Sequence, residues 1–267
     1  MRIGAATIPK ASPPAKTRWT FSKRSLHGRI AHQIGLRIVC GELAPATPIP
    51  NEETWSLQLG VSRTALREAI KVLAAKSLIA SQPKTGTRVR PREDWNFLDP
   101  DVLTWRLSVT RIEAYVKEIF QLRRVIEPAA AALAAAQADS AGVRRMEQAF
   151  RSMEEAGDDG EKFEDPDRQF HQAILRMTGN ELIGSLGALI ETALLMSFRM
   201  SNDNPHGQRH SLPLHGTVLK AIRRHQPERA RKAMYRLLDQ SERDVLLAIA
   251  ARRRRGQQQF VLPEAAD

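Results

Sequence analysis

The chain has a single cysteine, Cys40, in 267 residues. One thiol closes no internal disulfide and completes no zinc finger. Its place at the end of an apolar helical pattern predicts a small buried residue. Long apolar runs are also missing. No segment approaches the length of a membrane span, and the N-terminal residues lack the apolar core of a signal peptide, so a cytoplasmic location is expected. Acidic residues are scarce in the first third. Residues 1–95 hold 16 Lys+Arg and 6 Asp+Glu, a net charge of +10, whereas the remainder holds 25 and 24, a net of +1. Nearly all of the formal charge of +11 therefore sits in one module. That asymmetry is the footprint of a surface that displaces counterions from phosphate. A basic membrane-surface segment would need a free apolar face with exposed aromatics, and here the apolar face is used in folding.

Within the basic module, residues 51–73 read NEETWSLQLGVSRTALREAIKVL. Two short helices are expected there, joined by a turn at Gly60-Val61, with Ser62 as N-cap of the second. Leu66, Ile70 and Leu73 recur at helical spacing and make an apolar face. Arg63, Arg67 and Lys71 are four apart and line a different face of the same helix. A solvated charged face would look the same in isolation. A short helix, a glycine turn and a helix with one apolar and one cationic face make the helix-turn-helix pattern, whose second helix enters the DNA major groove N-terminus first.

Upstream, residues 1–21 mix Pro, Ala, Lys and Ser without period and read as a disordered basic arm. Ser25 to Val39 carries Leu26, Ile30, Ile34 and Ile38 at a spacing of four, an amphipathic helix ending near Gly41. Pro45, Pro48 and Pro50 make an extended connector. Downstream, residues 77–81 and 87–90 read as two strands around a turn at 82–86. Three helices closed by a hairpin make a winged helix-turn-helix over 22–91, with Lys84, Gly86 and Thr87 at the wing tip. A plain surface turn is the alternative for that tip.

The segment IPNEETWSLQLGVSRTALREAIKVLAAKSLIASQPKTGTRV resembles the N-terminal domain of the GntR superfamily of bacterial transcription regulators. Ile49-Pro50, Gly60 to Arg63, Arg67 to Ala69 and Gly86-Thr87 match the family consensus. The resemblance implies operator contacts by Arg63 and Arg67, with Ser62, Thr64, Lys71, Lys84, Gly86 and Thr87 around them. The family often has a DNA-contacting arginine in the first helix of the motif; this chain has Glu53 there, which puts that contact in doubt and points to a different operator preference.

Residues 92–110 read as a linker. Asp99-Pro100-Asp101 looks like a helix start, and Trp95 and Trp105 are expected to dock the linker onto a domain. Its pattern resembles the linker of sugar-acid-responsive members of the superfamily. From 111 to 252 strand-rich runs are absent and helical period dominates. Six helices are expected, at 112–137, 140–156, 161–178, 180–201, 211–225 and 227–252, with residues 253–267 as a tail. The fold expectation is mainly α: a winged helix-turn-helix followed by an all-α bundle of six to seven helices.

Asp167 and His171 stand at i and i+4, a spacing that can put carboxylate and imidazole on one metal ion or one polar ligand. His215, expected to begin another helix, could converge on them, and Arg123 lies on the first bundle helix with Glu127 a turn later. Leu122-Arg123 with Ile126-Glu127, Asp167 to His171, Gly179-Asn180, and His215 with Ala221-Ile222 resemble the FCD-type ligand-binding domain of the FadR subfamily. Many such domains hold a divalent metal through one Asp and three His. Carried over, that gives Asp167, His171 and His215 as metal ligands, with Arg123, Asn180 and the same three residues around an effector. The third histidine is expected in the last helix, where Leu237 stands. Three ligands and water would still hold zinc, nickel or manganese, and His206 or His210 could substitute from the preceding loop. Without a metal, Arg123 is the natural carboxylate clamp.

The expected protein is a homodimeric, ligand-responsive regulator, a repressor of a palindromic DNA operator, whose effector is a small organic or sugar acid. Two alternatives stay open on sequence grounds. One is a metal-dependent hydrolase with a DNA-binding domain; the other is an architectural DNA-binding protein that responds to no effector.

Overall fold

The computed structural model describes residues 25–82, 86–107, 112–201 and 207–254. The basic arm at 1–21, wing residue Lys84, the end of the linker, His206 and the tail beyond residue 254 lie outside the described residues.

Three helices, α1 (Leu26–Val39), α2 (Glu52–Leu59) and α3 (Arg63–Ala75), precede an antiparallel hairpin of β1 (Ile79–Gln82) and β2 (Gly86–Val89). In α1, Ile30, Ile34 and Ile38 are buried but Leu26 is 47% exposed. A strict spacing of four drifts around a helix of 3.6 residues per turn. Gly60 ends α2 at φ +66°, a left-handed conformation that glycine adopts without steric cost, and this sets the tight turn into α3. Ser77 also has positive φ, at 60°, so the chain is still turning there and the first strand begins at Ile79 rather than at residue 77. Cys40 does cap the end of α1, but it is exposed, and its thiol points back to the Arg37 carbonyl. The expectation of a buried cysteine is corrected.

A single 3-10 turn (Arg92–Asp94) leads to α4 (Pro100–Leu107). Val102 and Trp105 of α4, with Trp95, pack into the core of the three-helix module, while Leu103 packs into a second core with Tyr115, Ile119 and Phe120. The expected helix start is borne out, and Val102, Leu103 and Trp105 of α4 are buried between two cores. Trp105 lies so close to α1 that a Cβ at Gly35 would fall 2.4 Å from its ring, and its indole N–H donates to His32 Nδ1 at 2.6 Å.

The rest is helical: α5 (Ile112–Gln137), α6 (Ser140–Ala156), α7 (Gly160–Met177), α8 (Glu181–Ser185), α9 (Gly187–Ser201), α10 (Gly207–Arg223) and α11 (Pro227–Arg254). Buried Ala130, Ala131, Ala134 and Ala135 let α5 lie close against α7 and α11. The helix expected at 180–201 is broken at Leu186 into α8 and α9. The helix expected at 211 begins at Gly207 and runs through Pro213, so His215 sits well inside α10 rather than at its start. Among the described residues, no helix is long and apolar enough to cross a membrane.

Candidate functional site

Two surfaces carry chemistry: the exposed face of α3 and a buried polar cluster in the bundle. On α3, the Ser62 hydroxyl accepts the Ala65 N–H at 3.2 Å and so caps the helix. Leu66, Ala69 and Leu73 are buried against α1 and the hairpin, which leaves Arg63, Thr64, Arg67 and Lys71 exposed. Arg67 donates to the carboxylate of Glu52 on α2 from both Nε and Nη2. Lys71 Nζ lies 2.8 Å from Glu68, and Arg63 Nη1 stands 3.9 Å from Glu53. At the wing, Gly86 is exposed with φ +77°, and the half-buried Thr87 reaches the Ser81 hydroxyl at 3.4 Å.

The buried cluster is built from three helices. Arg123 and Glu127 come from α5, Asp167 and His171 from α7, and His215 from α10. Arg123, Glu127, His171 and His215 are each at most 2% exposed. Arg123 Nε donates to Glu127 Oε1 at 2.6 Å, and Glu127 Oε2 lies 2.5 Å from His171 Nδ1. On its other edge, His171 presents Nε2 to Asp167 Oδ1 at 3.8 Å. His215 Nδ1 donates to the Ser211 carbonyl at 2.9 Å, and its Nε2 lies 2.8 Å from Asp167 Oδ1. Phe163 and Phe170 set their rings edge-on to His215 and keep the cluster in an apolar wall.

Burial by itself would raise the Glu127 carboxyl, but the neighbouring Arg123 and His171 charges outweigh it and hold the group down at about 2. Burial likewise pushes Asp167 up, and His215, His171 and Arg123 together bring it below the ordinary aspartate value. Both carboxylates are therefore anions inside the protein.

These residues fit a metal. Asp167, His171 and His215 each offer a ligand atom, and the three atoms lie within 4.8 Å of one another. His215 Nε2 is buried and faces Asp167 rather than solvent. Each imidazole has a carboxylate or carbonyl behind its other nitrogen, the arrangement that orients histidine ligands. Two imidazoles and one carboxylate suit zinc, nickel or manganese.

The other expected residues fall elsewhere. Leu237 is fully buried in the apolar core and offers no ligand. His210 is exposed and stands 3.7 Å from Asp244, outside the group of three. Asn180 is exposed, and its side-chain oxygen caps α8 by accepting from Leu182 and Ile183, so its visible role is structural. The reading from sequence missed Glu127 as the residue behind His171. Its signal was the i,i+4 spacing from Arg123, which puts a cation and an anion on one helix face.

Comparison with known proteins bears on both surfaces. The family model described as "Bacterial regulatory proteins, gntR family" matches residues 26–89, and that of the "FCD domain" matches residues 118–240. Two relatives come from Escherichia coli K12. The galactonate operon transcriptional repressor is 30% identical over 216 residues, covering 80% of this chain and 94% of that protein. The uncharacterized HTH-type transcriptional regulator YieP is 29% identical over 227 residues, covering 84% and 97%. A solved structure titled "Lar controls the expression of the Listeria monocytogenes agr system and mediates virulence" has a TM-score of 0.61 at 17% identity, covering 85% of this chain and 99% of that one, a likeness of fold.

Proposed function

Because this chain belongs to the GntR family of bacterial regulatory proteins and carries an FCD domain behind its winged helix-turn-helix, we propose that it is a homodimeric repressor whose grip on a palindromic operator is set by a small carboxylate, a sugar acid above all. It is a DNA-binding transcription regulator and not an enzyme, which removes the hydrolase alternative. Arg63 and Arg67, with Ser62, Thr64 and Lys71 beside them and Lys84, Gly86 and Thr87 at the wing, would meet the duplex, one α3 per subunit in successive major grooves.

The observation that carries the effector reading is the buried cluster. Arg123, Glu127, His171 and His215 are buried together beside Asp167, and burying charge costs several kcal/mol per ion before pairing offsets it. Arg123 Nε pairs with Glu127, and the guanidinium stands over the Phe120 ring. Asp167, His171 and His215 would hold one divalent metal. When bound, the metal supplies a positive centre for the oxygens of an acid. Arg123 would clamp the same acid by its fork. The E. coli relative named for a galactonate operon favours a sugar acid. The effector releases DNA only if it binds the two bundle states with different affinity.

The test is a fluorescence anisotropy titration of full-length protein on its selected operator at fixed salt. It is run with a panel of sugar acids and other small organic acids, with and without a chelator and with zinc, nickel or manganese restored. An acid that shifts operator affinity and loses its effect under chelation is the expected result. No response to any acid, with operator binding intact, would leave only an effector-independent DNA-binding protein.

A further inference from the structure

On the exposed face of α3, Arg67 is already held. Its Nε lies 3.1 and 3.0 Å from the two oxygens of Glu52, and its Nη2 lies 2.6 Å from Oε2. The pair joins two helices across 15 residues of sequence. Arg63 differs: it approaches Glu53 only at 3.9 Å through one Nη, with both side chains mostly exposed. Glu52 is itself fixed. It is the first residue of α2, whose start is capped by Asn51 accepting the Thr54 N–H at 2.9 Å. Its carboxyl is held below the ordinary glutamate value by the hydrogen bonds from Arg67.

A guanidinium has two edges that can make paired hydrogen bonds. Glu52 takes the edge made by Nε and Nη2. The outer edge, Nη1 with Nη2, remains, and a paired edge of this kind matches O6 and N7 of guanine in the major groove. An untethered arginine loses about 2 kcal/mol of rotamer freedom when it is ordered; one already fixed by a neighbouring helix loses less on binding.

We propose that Glu52 is a positioning residue for base readout, holding the Arg67 guanidinium so that its outer edge meets a guanine of the operator. The inference rests on the DNA-reading function proposed above. It also runs against simple electrostatics. A carboxylate beside the phosphates weakens binding to any duplex, so its removal should help DNA binding unless the carboxylate aligns Arg67.

The experiment uses that opposition of sign. Full-length wild-type protein and the Glu52→Ala, Glu52→Gln and Arg67→Ala variants each select from a random-sequence duplex library at one salt concentration, and the bound pools are sequenced. Affinities are then measured for the duplex selected by wild type and for a scrambled duplex, with thermal unfolding as the check on folding. Wild type should enrich a motif containing a guanine that Arg67→Ala no longer selects. Glu52→Ala should lose preference at that same position, keep the other positions, and bind the selected duplex about tenfold more weakly while binding the scrambled duplex as well as wild type or better. Glu52→Gln, which keeps one acceptor for Nε, should fall between. Undiminished guanine preference with equal or tighter affinity in Glu52→Ala would mean that the carboxylate merely competes with DNA, and a base other than guanine at the Arg67-dependent position would equally overturn the proposal. A wild-type pool with no motif would instead bring down the regulator reading, and this inference with it.

Discussion

Lys76 and Asp99 tie the end of α3 to the start of α4. The lysine caps the end of α3 and is 2% exposed, with Nζ 2.9 Å from both oxygens of Asp99 and 2.7 Å from Asp101 Oδ2. Asp99 in turn accepts the backbone N–H groups of Asp101 and Val102 at the start of α4. From there, the Leu103 carbonyl accepts the Tyr115 hydroxyl at 2.9 Å and Arg106 pairs with Glu118, both partners on α5.

Lys76→Met keeps the apolar stem and leaves two carboxylates without their cation. Breaking a buried pair from one side costs about 3 kcal/mol, the lower end of the usual range here because both aspartates retain some solvent. Urea unfolding should show an earlier midpoint at an unchanged slope. A loss under about 0.5 kcal/mol, the scale of an ordinary surface change, would contradict the pairing.

Gly35→Ala should destabilise, although alanine is the better helix former by about 1 kcal/mol. The added methyl meets the Trp105 ring at a distance no real contact tolerates, and overpacking of this kind costs roughly 1–3 kcal/mol. Combining Gly35→Ala with Trp105→Leu should cost less than the sum of the single changes. Strict additivity in thermal unfolding would rule out the contact as the cause.

Arg67→Ala removes an exposed side chain, so fold and dimer should survive. Specific operator affinity should fall by about 1–3 kcal/mol, the range for one bidentate base contact. Anisotropy at fixed salt reads this directly, and unchanged affinity would exclude Arg67 as a reader.

His215→Ala should abolish metal-dependent stability. A metal at 100 times its dissociation constant adds about 2.7 kcal/mol to the folded state. Chelation should therefore lower the Tm of wild type, restored zinc, nickel or manganese should raise it, and the variant should respond to neither. Equal responses in both proteins would place the metal elsewhere.

Arg123→Lys keeps a cation for Glu127 but loses the planar fork. DNA affinity without effector should stay near that of wild type, while the acid concentration needed for release should rise about tenfold. An unaltered release curve would remove Arg123 from the effector's contacts.

The helices of both halves were legible wherever one face alternates apolar residues at helical spacing. Ile30, Ile34, Leu66 and Leu73 announced their burial by period alone. Ser62 and Gly60 marked the turn because a hydroxyl cap and a left-handed glycine are local requirements. Misjudged points were those set by a neighbour distant in sequence. Cys40 looked buried because it follows an apolar stretch, yet it is exposed at the end of α1. The helix start at Asp99-Pro100-Asp101 and the docking of Trp95 and Trp105 were also legible; that Leu103 turns to a second core was not.

The residue pattern alone determined the helix-turn-helix with its hairpin, most bundle helices and the exposed row of Arg63, Arg67 and Lys71, since these follow from periodicity, caps and turns within a few residues. Tertiary structure decided which groups meet. Glu52 finds Arg67, Glu127 stands behind His171, and Asp167 lies between two imidazoles on different helices. Those pairings depend on how helices cross, and helix crossing is set by packing across the whole core rather than by any local run of residues.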